Sequence, residues 1–84
     1  MKNLIINYIS NMNINDVNNF AINNNITLSE EELIFTYNFI KKNYLVLLND
    51  PNLLDMNKYK DRYSEENYNK INELIDNYKK KYNI

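Results

Sequence analysis

The stretch NNNITLSEEELIFTYNFIKK, residues 23–42, decides the fold. Ser29 stands three residues before Glu32, with Leu28 just ahead of it and Leu33 just behind the glutamates. Ser-x-x-Glu is the capping box of a helix start. The Ser hydroxyl accepts from the backbone N–H at the third helical position, and the Glu carboxylate reaches back to the Ser N–H. Leu28 and Leu33 can pack together as the accompanying hydrophobic staple. Leu33, Ile34, Phe35, Tyr37, Phe39 and Ile40 then cover most of a helical circumference, which predicts a central helix from Glu30 to about Lys42. Glu30, Glu31 and Glu32 suit its positive N-terminus, and Lys41 and Lys42 its negative end.

The same grammar recurs upstream. Met12, Asn13, Asp16 and Val17 repeat the staple and cap with Asn and Asp in place of Ser and Glu, and predict a helix from Ile14 to about Asn24 that buries Val17, Phe20 and Ala21. The chain contains no glycine and a single proline, Pro51. Sharp turns therefore fall to Asn, the next residue to tolerate the left-handed conformation, and one of Asn23, Asn24 and Asn25 is expected to end this helix in that way. Ile26-Thr27-Leu28 reads as a short extended link. Nearer the start, Leu4, Ile5, Tyr8, Ile9 and Met12 form one apolar stripe, predicting a helix from Lys2 to about Asn11.

Downstream, Tyr44-Leu45-Val46-Leu47-Leu48 fits either a continuation of the central helix or a buried extended segment. Asp50 and Pro51 then read as N-cap and first residue of a helix to about Arg62 or Tyr63, burying Leu53, Met56, Tyr59 and Tyr63. Ser64 caps a last helix with Glu65 and Glu66 in its first turn. Tyr68, Ile71, Ile75, Tyr78 and Tyr82 repeat at 3-4-3-4 spacing with Leu74 beside them, a seam of about two heptads that predicts packing onto the bundle. The fold expected is all-α, a compact bundle of four to five short helices in one domain spanning residues 1–84.

Composition bounds the function by exclusion. The richness in Asn, Ile, Lys and Tyr matches A/T-rich codons, so eight tyrosines carry little functional weight. No Cys means no disulfide framework and no thiolate metal site, and no His removes the usual proton shuttle. Without Gly, a phosphate-cradling loop of the Walker or dinucleotide type is excluded. The longest apolar run is far short of the roughly 20 residues that span a bilayer, and no signal-peptide core is evident, so a cytoplasmic, soluble protein is the expectation. Acidic pairs such as Asp61 with Glu65, or Glu73 with Asp76, read as solvated helix faces.

From residue 11 to residue 50 the order is cap, short helix, Asn-rich turn, Ile-x-Leu-Ser cap, long helix, polar break, apolar run and Asn-Asp. Carried by Asn13, Asp16, Phe20-Ala21, Asn25-Ile26-Thr27-Leu28-Ser29, Glu32 and Leu47-Leu48-Asn49-Asp50, this resembles the YqfT-like family, short uncharacterised helical proteins of low-GC Gram-positive bacteria. The resemblance implies a helical fold and brings no activity. Where the family has Gly-Lys-Asn after the long helix, this chain has Lys41-Lys42-Asn43. Residues 13–40 also look like the helix–extended-loop–helix motif of SAP-type nucleic-acid-binding domains. Glu30, Glu31 and Glu32 occupy the stretch where those domains place basic residues.

Two function classes follow. The first is a non-enzymatic cytoplasmic protein acting through protein–protein contacts, with a protein partner or a homodimer, and with no cofactor, metal, membrane or small-molecule site. The alternative is a weak nucleic-acid-binding module using Lys58, Lys60, Arg62, Tyr78, Lys79, Lys80, Lys81 and Tyr82, in which tyrosines stack bases and cations meet phosphates. Residues 51–84 carry seven cations against six anions, a weak footprint for a polyanion. The alternative requires those cations on one exposed face, uninterrupted by Glu66, Glu73 or Asp76, with Tyr78 or Tyr82 exposed.

Overall fold

Cap residues and asparagine turns set the architecture. The computed structural model describes residues 2–81, with α1 Lys2–Asn11, α2 Ile14–Asn23, α3 Glu30–Asn49 and α4 Glu65–Lys81. Two 3-10 segments, Pro51–Leu53 and Met56–Arg62, join α3 to α4. Among the described residues there is no strand, so the fold is all-α. The radius of gyration, 12.5 Å, is near the about 12 Å of a compact chain this long.

Both predicted capping boxes form. Asn13 Oδ1 accepts from the Asp16 N–H at 3.0 Å, and Asp16 Oδ2 accepts from the Asn13 N–H at 2.9 Å. Asn25 takes the left-handed position, with φ 64°. Its N–H donates to Ile22 O, and the Ile26 N–H donates back to Ala21 O at 2.9 Å. These two bonds are the Schellman arrangement, and its apolar partners, Ile26 and Ala21, are both buried. Asn25→Val is expected to cost about 1–2 kcal/mol, because a β-branched side chain crowds the backbone there, while Asn25→Gly should leave stability level or slightly raised. Equal urea midpoints for the two variants would contradict this account.

α3 is central: it packs against α1, α2 and the first 3-10 segment. Its 20 residues carry it well past Lys42, through Tyr44-Leu45-Val46-Leu47-Leu48, to Asn49. Nothing between Lys41 and Asn49 breaks a helix, and Lys41-Lys42-Asn43 lacks the glycine that would turn the chain. Central position did not bring all-round burial, for Ile34, Leu45 and Val46 remain exposed. α1 likewise departs from expectation, since Leu4, Ile5 and Tyr8 are exposed while Ile6 and Ile9 are half-buried and Met12 is buried. A short helix packed on one neighbour covers one narrow line of side chains. Lys41 fixes its end, donating from Nζ to Ile9 O at 2.9 Å and Ser10 O at 2.7 Å.

The single helix predicted from Pro51 to Arg62 is replaced by the two 3-10 segments. Asp50 accepts from the Asn52 N–H and Asp55 from the Asn57 N–H, so each aspartate opens its own tight turn. These local bonds compete with the i→i−4 ladder, and the second cap interrupts the helix at Leu54. Leu53, expected in the core, is exposed, whereas Met56, Tyr59 and Tyr63 are half-buried.

Candidate functional site

The most buried charge in the described chain is Glu32, 6% exposed, in the first turn of α3. Ser29 and Ser64 are the caps of α3 and α4, and Glu32 serves both. Its Oε1 accepts from the Ser29 N–H at 2.8 Å and from Asn67 Nδ2 at 2.8 Å, and its Oε2 accepts from the Ser64 N–H at 2.7 Å. Asn67 Nδ2 also donates to Thr27 O at 2.9 Å, and the Asn67 N–H donates to Ser64 Oγ at 3.1 Å. The junction thus ties together the extended link, α3 and α4.

Burial alone would raise the pKa of Glu32. The bonds from the Ser29 and Ser64 backbones and from the Asn67 side chain outweigh it, and the carboxyl is held below its ordinary value. Nearby, the Tyr63 hydroxyl lies 2.6 Å from Thr36 Oγ1. Burial raises the Tyr63 pKa, opposed by that bond and aided by the charge of Glu32. Both oxygens of Glu32 accept from donors of the chain itself, so this carboxylate joins elements of the fold.

An apolar groove lies elsewhere, with a volume of ≈ 280 Å³. Phe20 of α2, Leu47 of α3, Leu54 beyond the first 3-10 segment, and Leu74, Ile75 and Tyr78 of α4 form most of it. Phe20 was expected in the core and is instead 47% exposed, and Tyr78 is 44% exposed. The groove lacks the few convergent polar groups that orient a small molecule, and Lys79 supplies its one charge.

The predicted basic residues fall on two elements. Lys58, Lys60 and Arg62 belong to the second 3-10 segment, where Lys60 shares a depression with Asp61 and Glu65. The Arg62 guanidinium lies 4.8 Å over the Phe35 ring. Lys79, Lys80 and Lys81 close α4. Lys79 also lines a cleft with Asp55 and Asp76. Tyr82 lies outside the described residues.

Among the described residues no helix is long and apolar enough to cross a membrane, and no group of three or more His, Cys, Asp or Glu side chains could hold a metal ion. No protein-family model, curated protein or solved structure matches the chain.

Sequence reasoning found the Ser29–Glu32 box but missed the reach of Glu32 to Ser64 and Asn67. The available signal was the repeat itself: Ser64-x-x-Asn67 echoes Ser29-x-x-Glu32, and an amide at that position brings a donor for a carboxylate. The groove left no comparable trace, because its residues read as ordinary core positions.

Proposed function

We propose that this chain is a non-enzymatic cytoplasmic protein that acts through protein–protein contacts. One observation carries the reading: the apolar groove between α2, α3 and α4, with Phe20 and Tyr78 exposed along it. A contiguous apolar concavity with aromatic walls suits another protein's side chains better than a polar substrate. The resemblance to the YqfT-like family implies a helical fold and assigns no function. The test is a photo-cross-linking side chain placed at position 20 in the full chain, expressed in cells. Discrete protein adducts are expected, and irradiation without any protein adduct would overturn the reading.

The nucleic-acid alternative retains one favourable observation, the exposure of Tyr78 beside Lys79 and Lys80. Asp55 and Asp76, which share the cleft with Lys79, weigh against it. A labelled single-stranded oligonucleotide is expected to bind more weakly than about 10⁻⁴ M at physiological salt. Micromolar binding that weakens steeply with added salt would put the alternative first.

A further inference from the structure

Two turns of this chain share one geometry and differ in the residue that follows the aspartate. In the first, Asp50 Oδ1 accepts from the Asn52 N–H at 3.2 Å, and the Asp50 carbonyl accepts from the Leu53 N–H at 3.1 Å. In the second, Asp55 Oδ1 accepts from the Asn57 N–H at 3.1 Å, and the Asp55 carbonyl from the Lys58 N–H at 3.2 Å. The side-chain bond closes a ring around the peptide bond after each aspartate, which folds the carboxylate over its own carbonyl carbon. The backbone bond sits on the carbonyl oxygen, where negative charge would gather if that carbon were attacked. Both aspartates are exposed, so water and acid reach them. Asp50 is followed by Pro51, and Asp55 by Met56. Proline nitrogen carries no hydrogen in the chain, and this tertiary amide is protonated more readily than the secondary amide at Met56.

We propose that the Asp50–Pro51 peptide bond is a site of self-cleavage, with the Asp50 carboxylate as its nucleophile. One carboxylate oxygen bonds to the Asp50 carbonyl carbon and closes a cyclic anhydride. The bond from that carbon to the Pro51 nitrogen breaks, and the nitrogen takes a proton from solvent acid and leaves as a secondary amine. Water then opens the anhydride to two carboxylates, so the net change is hydrolysis of one peptide bond. The reaction consumes its own chain once and is compatible with a non-enzymatic protein. The two pieces remain linked through Glu32 with Ser64 and Asn67, and through Phe35 with Tyr59 and Tyr63. Pro51 also lines the apolar groove, so the cut places a new ammonium group on its wall.

Intact-mass spectrometry of the full chain, held for several days at about pH 5, tests this. That pH lies above the ordinary carboxylate range and keeps the Glu32 junction charged. The expected products are residues 1–50 and 51–84, together one water heavier than the parent. Asp50→Asn keeps the turn's acceptor and removes the nucleophile, whereas Pro51→Ala keeps the nucleophile and removes the leaving group. Each should slow the cut at least about 10-fold, and the Asp55–Met56 bond should lag by a similar factor. Unfolding the parent in urea at the same pH should also slow it at least about 10-fold, because the Leu53 N–H then no longer holds the carbonyl oxygen. The same order of parent and variants in urea would show that a folding defect is not its cause. An uncut chain, equal cutting after both aspartates, or equal rates for the parent and Asp50→Asn would overturn the proposal. Equal rates in the folded and unfolded parent would do so as well, since the turn would then contribute nothing.

Discussion

Glu32→Gln is expected to lower the stability of the fold by about 2–4 kcal/mol at neutral pH. The substitution preserves size and changes little else, so its effect reports on the charge and on one acceptor. Glu32 takes three donors on two oxygens, and two of them are backbone N–H groups at helix starts. An amide in its place offers one carbonyl oxygen and turns an NH₂ toward either the Ser64 N–H or the pair from Ser29 and Asn67. A donor then faces a donor in a place where Glu32 is 6% exposed, and water cannot freely repair the loss. A loss of this size is a large share of the roughly 4–12 kcal/mol that holds a domain of 84 residues together. The pH dependence has a definite sign. Folding depresses the pKa of Glu32 below its ordinary 4.5, so its contribution is complete above the unfolded value and is lost as pH falls through the folded value. The gap between the parent chain and Glu32→Gln should therefore be widest near pH 7 and narrow steadily below about pH 4.5. Urea titrations across that range measure it. A gap under about 0.5 kcal/mol at pH 7 would fall within the scatter of ordinary surface substitutions and remove Glu32 as the junction's keystone.

Local chemistry was legible in the sequence, and its long-range consequences were less so. Asn13, Ser29 and Ser64 cap the helices they were expected to cap, because a cap is settled within four residues, while Asp50 caps only the short turn Pro51–Leu53 in place of the longer helix expected. Asn25 was one of three candidates for the left-handed turn, and the choice among them depended on where Ile26 could be buried. The run 44–48 could not be assigned from periodicity alone, since a short apolar stretch fits helix and strand alike. What decided it was the absence of any breaker before Asp50. Asp55 misled because an aspartate within a helical pattern reads as a solvated residue until its side chain is seen to take the Asn57 N–H. Burial was read least well. Leu4, Ile5, Tyr8 and Phe20 have helical spacing but too few neighbours to cover them, and the number of neighbours is a property of topology. The same limit hid the groove, while the reach from Glu32 to Asn67 spans 35 positions of sequence.

Phe35→Ala is expected to cost about 2–4 kcal/mol, most of it felt in the second 3-10 segment. Seven residues is long for a 3-10 helix, whose hydrogen-bond geometry is poor, so Met56–Arg62 depends on what it packs against. Phe35 is the hub of that packing. Its ring centroid lies 5.8 Å from those of Tyr59 and Tyr63 and 6.0 Å from that of Phe39, while Phe39 and Tyr59 meet at 4.8 Å. The three-residue turn places Tyr59 and Arg62 on one line, which is why the Arg62 guanidinium also reaches the Phe35 ring. Removing the ring opens a gap beneath Tyr59 and Arg62 of that segment and forfeits the edge-on contact with Tyr63, which follows it. Phe35→Leu keeps most of the apolar volume and should cost only about 1–2 kcal/mol, the ring-specific part of the loss. Amide exchange separates a local from a general effect. Protection over residues 56–63 should fall much further in Phe35→Ala than protection in α2, which contributes no ring to this cluster among the described residues. Equal losses in both regions would mean that Phe35 supports the bundle as a whole, and a cost below about 1 kcal/mol would mean that α4 alone holds the segment in place.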